Sequence, residues 1–124
     1  MIKMVNIVKI AKMDDEKRKK EMTGILMDLL KEKSEKTQKE LEKLITEMKN
    51  VTDDEYLNLC LTNMLIANTL DDENVKNFLA LRLKANSEMP DNIKSRDMKM
   101  IESAMAKSPE NVRARLSSLM PKNQ

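Results

Sequence analysis

Apolar and polar positions recur along this chain with the 3.6-residue period of helices, in blocks separated by short polar or proline-containing breaks. The clearest block follows Asp14, where Met22, Ile25, Leu26, Leu29 and Leu30 fall at i, i+3, i+4, i+7 and i+8. From Lys31 to Glu40 there is no apolar side chain, and Leu41, Leu44, Ile45 and Met48 then resume the period. One helix of about 35 residues with a solvated middle fits this pattern. Two helices meeting in a hairpin near Ser34 to Thr37 fit it better, because both apolar stripes then share one core. Upstream, Lys3, Asn6, Lys9 and Lys12 spread over half a helical wheel and leave the other half to Ile2, Val5, Ile7, Val8, Ile10 and Met13. This predicts an amphipathic helix over residues 1–13 docked on the core, with a membrane-surface helix as the functional alternative.

Later boundaries carry their own signals. Thr52 and Glu55 form a capping box, so a helix starts near Asp53 and turns Tyr56, Leu57, Cys60, Leu61, Met64, Leu65 and Ala67 inward. Asp71 or Asp72 caps the next, with Val75, Phe78, Leu79 and Leu83 facing the core and Asn86 and Ser87 at its end. Pro90 opens a helix bearing Ile93, Met98, Ile101, Ala104 and Met105; Met100 falls off this stripe. Ser108 as cap and Pro109 at the first helical position open a last helix with Val112, Leu116, Leu119 and Met120, which Pro121 stops, leaving residues 121–124 as a frayed tail. The expected fold is all-α: six to seven helices with antiparallel neighbours in one domain over residues 1–124, either a compact bundle or a short stack of helical hairpins. No fixed-period sequence repeat points to a true solenoid.

Composition then closes off most chemistry. The 124 residues include no histidine or tryptophan, one glycine (Gly24), one cysteine (Cys60), and only Tyr56 and Phe78 as aromatics. A tetrahedral Cys/His zinc site within the chain is impossible, and Gly24 alone cannot build a phosphate-cradling loop. Without histidine the usual base near neutral pH is missing, and Cys60, on the most apolar helix, reads as a small buried hydrophobe. The acidic triplets Asp14-Asp15-Glu16, Asp53-Asp54-Glu55 and Asp71-Asp72-Glu73 each stand where a helix begins, where negative charge meets free amides and the positive dipole end; they lack the glycine bend and alternating ligands of a calcium loop. No catalytic, cofactor-binding or metal-binding residue is therefore assigned. Gly24 itself reads as a close-packing position or a weak point in its helix.

The formal net charge of +2 conceals an uneven distribution. Residues 1–49 carry 13 basic and 10 acidic side chains, residues 50–92 carry 3 and 8, and residues 93–124 carry 7 and 3. Helices with complementary faces account for this, within a domain or between copies, and so does a cationic surface. The candidate cations form two groups: Lys17, Arg18, Lys19 and Lys20 on one helical turn, and Lys94, Arg96 and Lys99 with Arg113 and Arg115 if the last two helices are antiparallel neighbours. Such groups grip phosphates, but stacking aromatics for reading bases are lacking. Met89, Met98, Met100, Met105 and Met120 concentrate adaptable side chains near the C-terminus. A lone cysteine and the absence of a signal-like or spanning apolar stretch point to the cytoplasm.

Two C-terminal segments, Met89-Pro90-Asp91-Asn92-Ile93-Lys94 and Ser108-Pro109-Glu110-Asn111-Val112-Arg113-Ala114, resemble the helical repeat of a small uncharacterised archaeal protein family. That family has arginine where Asp91 stands, and residues 1–88 match nothing in it. The resemblance implies an all-helical fold and carries no activity. The functional expectation is a non-catalytic helical protein–protein interaction or assembly module that self-associates, without cofactor. Its alternative is nucleic-acid backbone binding through the basic groups.

Overall fold

Side chains at the helix starts decide where this chain breaks. Asn6, Asp14, Thr52 and Asp71 each accept a hydrogen bond from the backbone three residues on, and Thr52 and Glu55 complete a reciprocal capping box. The computed structural model describes residues 5–121. Among them the helices are α1 (Ile7–Ala11), α2 (Asp15–Lys31), α3 (Ser34–Glu47), α4 (Asp53–Ala67), α5 (Asp72–Ser87), α6 (Asp91–Lys107) and α7 (Glu110–Leu119), with a 3-10 turn at Met48–Asn50. The fold is all-α, and no strand occurs among the described residues.

Several boundaries differ from those the pattern predicts. Among the described residues the amphipathic helix expected over residues 1–13 spans Ile7–Ala11, with the Asn6 carboxamide as its cap; residues 1–4 and 122–124 of the expected helix and tail lie outside the described residues. The α2–α3 break falls at Glu32 and Lys33, slightly before Ser34 to Thr37, where both residues are extended. Thr37, 1% exposed, donates its hydroxyl to the Leu29 carbonyl at 2.7 Å and so ties the start of α3 to the end of α2. Ser108 does not cap α7: its hydroxyl turns back to the Met105 carbonyl, and Pro109 takes the N-cap place. Gly24 is exposed, and a Cβ there would meet nothing within 4 Å, so it is a weak point of α2 and no close-packing site.

The helix starts Asp15, Ser34, Asp53, Asp72, Asp91 and Glu110 are each 19 residues apart, a fixed period that the sequence reading missed. Burial keeps the same step: Ile10, Leu29, Met48, Ala67 and Asn86, all buried, stand 19 residues apart. Two helices make a 38-residue unit, within the size range of stacked-repeat proteins, and α1 is a five-residue helix whose residues stand one step before the later turns of α2. Chain neighbours are not the closest packing partners. The closest approaches join helices two apart, α2 with α4, α4 with α6, and α3 with α5, so α2, α4 and α6 form one row and α3, α5 and α7 another. Short turns reverse the chain at each step, which makes helices within a row parallel. Between the rows lies one apolar core that includes Met22, Leu26, Leu41, Leu44, Leu59, Phe78 and Leu116.

Arginines lock this register. Arg96 of α6 donates to the Met48 and Val51 carbonyls at 2.9 Å each and to the Asp53 carboxylate at 2.8 Å, while its guanidinium lies 4.9 Å from the Tyr56 ring centre. One period on, Arg115 of α7 donates to the Asn68 and Leu70 carbonyls at 2.7 Å each and to Asp72 at 2.8 Å. In both, a guanidinium from the helix two places later holds the carbonyl before a helix cap and the carboxylate of its first turn. Charge-assisted hydrogen bonds of this kind contribute about 1.5–3 kcal/mol each before allowance for exposure. Arg96→Ala and Arg115→Ala are each expected to lower stability by about 2 kcal/mol, with little recovered by lysine, whose ammonium cannot span all three acceptors; urea unfolding monitored by circular dichroism measures this.

Candidate functional site

The most polar place inside the protein lies between α4, α5 and α6. Asp97 is fully buried at 0% exposure, and its carboxylate accepts from the Tyr56 hydroxyl, from Arg82 Nη1 at 2.8 Å and from Asn86 Nδ2 at 2.9 Å. Asn86 also donates to the Lys94 carbonyl at 3.2 Å. Burial alone would raise the Asp97 pKa, but hydrogen bonding and charge from Arg82 outweigh it and hold the carboxyl below its ordinary value. Burial, reinforced by the Asp97 charge, pushes the Tyr56 hydroxyl up, and burial pushes the Cys60 thiol up to about 12. These directions leave carboxylate, phenol and thiol in their resting protonation states near neutral pH. The cluster is a satisfied ion pair joining three helices, and no group in it is poised to exchange a proton.

Of the nine candidate cations, the four arginines have structural duties. Arg18 is 5% exposed; it donates to Thr62 Oγ1 at 2.8 Å, to the Met13 carbonyl at 2.6 Å and to Asp15. It thus repeats, within its own helix, the grip that Arg96 and Arg115 apply from later helices. Arg113 donates to the Ala106 and Ser108 carbonyls at 3.1 and 3.2 Å. The second basic group does not assemble as expected. Arg96 and Arg115 reach the two opposite ends of α4, a 15-residue helix about 22 Å long. Lys17, Lys19, Lys20 and Lys99 are exposed and Lys94 is half-buried, so the turn after Asp14 does display cations, with Arg18 turned inward. The sequence treats all these positions as equal charges. What separates them is that a guanidinium can satisfy several carbonyls at once and an ammonium remains best solvated. The acidic triplets find their role in the same motif, as caps and as carboxylates for the clamps.

A different surface emerges on the outside of the α2–α4–α6 row. α4 is apolar nearly all round: Tyr56, Leu59, Cys60, Ile66 and Ala67 are buried, whereas Leu57 and Leu61 are half-buried and Leu65 is 40% exposed. Of the three leucines expected to point inward, Leu57 and Leu61 are half-buried and packed against the core, and Leu65 is exposed; at i, i+4 and i+8 they run along one face of α4. Two 19-residue steps before Leu57 and Leu61 stand Lys19 and Thr23 of α2, and two steps after stand Ser95 and Lys99 of α6. Lysines thus border the leucine strip on both sides. The corresponding outer positions of α3, α5 and α7 carry residues such as Gln38, Lys76, Ala80 and Ser118, without a large apolar side chain. Met100, expected off the core stripe, is buried at 6%, while Met98 is half-buried.

Between the rows is an apolar cavity of about 90 Å³ whose walls include Met22, Leu44, Leu59, Phe78, Cys60 and Arg82. Asn63 presents its buried Oδ1 without a hydrogen-bond partner among the described residues. No three Asp, Glu or Cys side chains converge as a metal-holding group among the described residues, and no helix there is long and apolar enough to cross a membrane. No protein family, curated protein or solved structure matches this chain. The segments 89–94 and 108–114 occupy the same register position, one 19-residue step apart, at the starts of α6 and α7; nothing among these comparisons bears on the archaeal helical repeat they resemble.

Two outcomes follow from the buried groups. Because the folded pKa of Asp97 lies below its unfolded value, its stabilisation is present above about pH 4 and is lost as pH falls through the folded value. Asp97→Asn leaves the Arg82 cation buried without its counter-charge and is expected to cost about 3–5 kcal/mol while flattening the acid limb of a plot of unfolding free energy against pH. Cys60 is expected to resist a thiol-reactive dye in the native protein and to react stoichiometrically once urea unfolds the chain, measured by absorbance.

Proposed function

We propose that this protein is a non-catalytic interaction module of the cytoplasm whose α2–α4–α6 face docks an acidic amphipathic helix from a protein partner. The observation that carries the reading is the leucine strip: Leu57, Leu61 and Leu65 run along one face of the central helix of a row, Leu65 exposed and the other two half-buried against the core, and Lys19 and Lys99 flank them at matching register positions. An apolar ridge with cationic borders complements a helix that presents an apolar stripe between acidic residues. The quiet protonation states of Asp97, Tyr56 and Cys60 favour a scaffold over a reaction centre. Phosphate-backbone binding is the weaker reading, since Arg18, Arg96 and Arg115 are engaged within the fold and it must rely on the lysines and Arg113.

Fluorescence anisotropy with labelled amphipathic helical peptides tests the reading. A peptide with an acidic polar face is expected to bind, and one of the same apolar stripe with a basic polar face is not. Leu65→Glu, at an exposed position, is expected to weaken the acidic peptide by about tenfold or more without changing the circular dichroism spectrum. Equal binding of both peptides, or binding insensitive to Leu65→Glu, would refute it. Duplex DNA binding that falls steeply with salt would favour the backbone-binding alternative.

A further inference from the structure

The two ends of the array are complementary to each other. Count each helix cap as position 1 of the 19-residue register, so that Asp14, Lys33, Thr52, Asp71, Pro90 and Pro109 are equivalent. Within the protein, position 7 of a helix meets position 2 of the helix two places earlier, as Arg96 meets Asp53 and Arg115 meets Asp72. Position 8 likewise meets position 5, as Asp97 meets Tyr56. At the free α2–α3 end, positions 7 and 8 are Lys20 and Glu21, and Lys39 and Glu40. At the free α6–α7 end, positions 2 and 5 are Asp91 and Lys94, and Glu110 and Arg113.

Carrying the same step from α6 of one molecule to α2 of another sets Lys20 against Asp91 and Glu21 against Lys94. From α7 to α3 it sets Lys39 against Glu110 and Glu40 against Arg113. All four pairs are opposite in sign, and none of these side chains is in an ion pair among the described residues. Arg113 uses only Nη1 in its bonds to the Ala106 and Ser108 carbonyls, which leaves its other donors for a carboxylate.

Helix lengths supply an independent observation. α7 has 10 residues and stops at an extended Met120 before Pro121, whereas α2 to α6 have 14 to 17. α1 has 5, and its buried Ile7 and Ile10 stand one step before Leu26 and Leu29, at the register positions of the later turns of α2. In the continued lattice, α7 of one molecule and α1 of the next fall into the same slot at different register positions, α7 at 2–11 and α1 at 13–17.

We propose that this chain associates head to tail with further copies of itself, its α6–α7 end seated on the α1–α2–α3 end of the next so that the register runs on between molecules. Such a heterologous contact builds an open filament, or a ring if its rotation closes. Because the paired groups are charged and the ends carry little apolar surface, the association is concentration-dependent and weakened by salt. The proposal does not rest on the leucine strip, which lies on a different face.

Sedimentation velocity of the full chain over a range of protein concentrations, at roughly 50 mM and about 0.5 M salt, tests it. Mass that grows with concentration at low salt and falls back at high salt is expected. Lys39→Glu and Glu110→Lys are each expected to weaken association by about tenfold or more, and the double variant to restore it, since the exchanged charges meet again across the contact. Both sites are solvated, so circular dichroism is expected to be unchanged, and binding of the acidic peptide is expected to survive Lys39→Glu. A monomer under all conditions overturns the proposal, as does association that Lys39→Glu leaves intact or that only Leu65→Glu removes.

Discussion

A single arrangement organises this protein: a guanidinium that holds, at once, the carbonyl preceding a helix cap and the carboxylate in that helix's first turn. Short polar turns leave several carbonyls and amides unsatisfied where one helix gives way to the next. Caps such as Thr52 and Asp71 satisfy the amides, and Arg96 and Arg115 satisfy the carbonyls from two helices further along. Because each clamp spans a fixed number of elements, it fixes which helices lie side by side. The two-row packing and the constant step between helix starts are two expressions of that constraint.

The buried ion pair complements the clamps from within. Asp97 joins α6 to α4 through Tyr56 and to α5 through Arg82 and Asn86, so one carboxylate ties the two rows together in the middle of the array. A desolvated carboxylate is costly unless every lone pair is met, and here the donors come from three sides. That requirement limits which relative positions of the three helices are tolerated, a form of specificity that apolar packing supplies less sharply. The same completeness of pairing withdraws the cluster from chemistry.

Much of the fold was legible in the residues: the capping box at Thr52, the acidic helix starts and the proline-opened helices each mark a boundary through local chemistry. The period escaped because few register positions keep their residue type, apart from the acidic helix starts and one buried position. Position 5 of the register reads Arg18, Thr37, Tyr56, Val75, Lys94 and Arg113, and what stays constant from unit to unit is the 19-residue spacing of the helix starts. The exposure of Leu65 escaped for a different reason: a helix that is apolar on both sides has no periodic contrast from which to read its inner face. The clamps were hidden because each arginine and its acceptors lie more than forty residues apart, and nothing local distinguishes Arg96 from Lys99 as an internal group.

The constant phase also bears on how such a chain tolerates change in length. One residue inserted within a helix rotates everything beyond it by about 100° and carries each later arginine away from its carbonyls, whereas a whole two-helix unit leaves every phase as it was. Loss or gain of material is therefore quantised in this architecture, and a longer or shorter descendant would differ from it by complete pairs of helices.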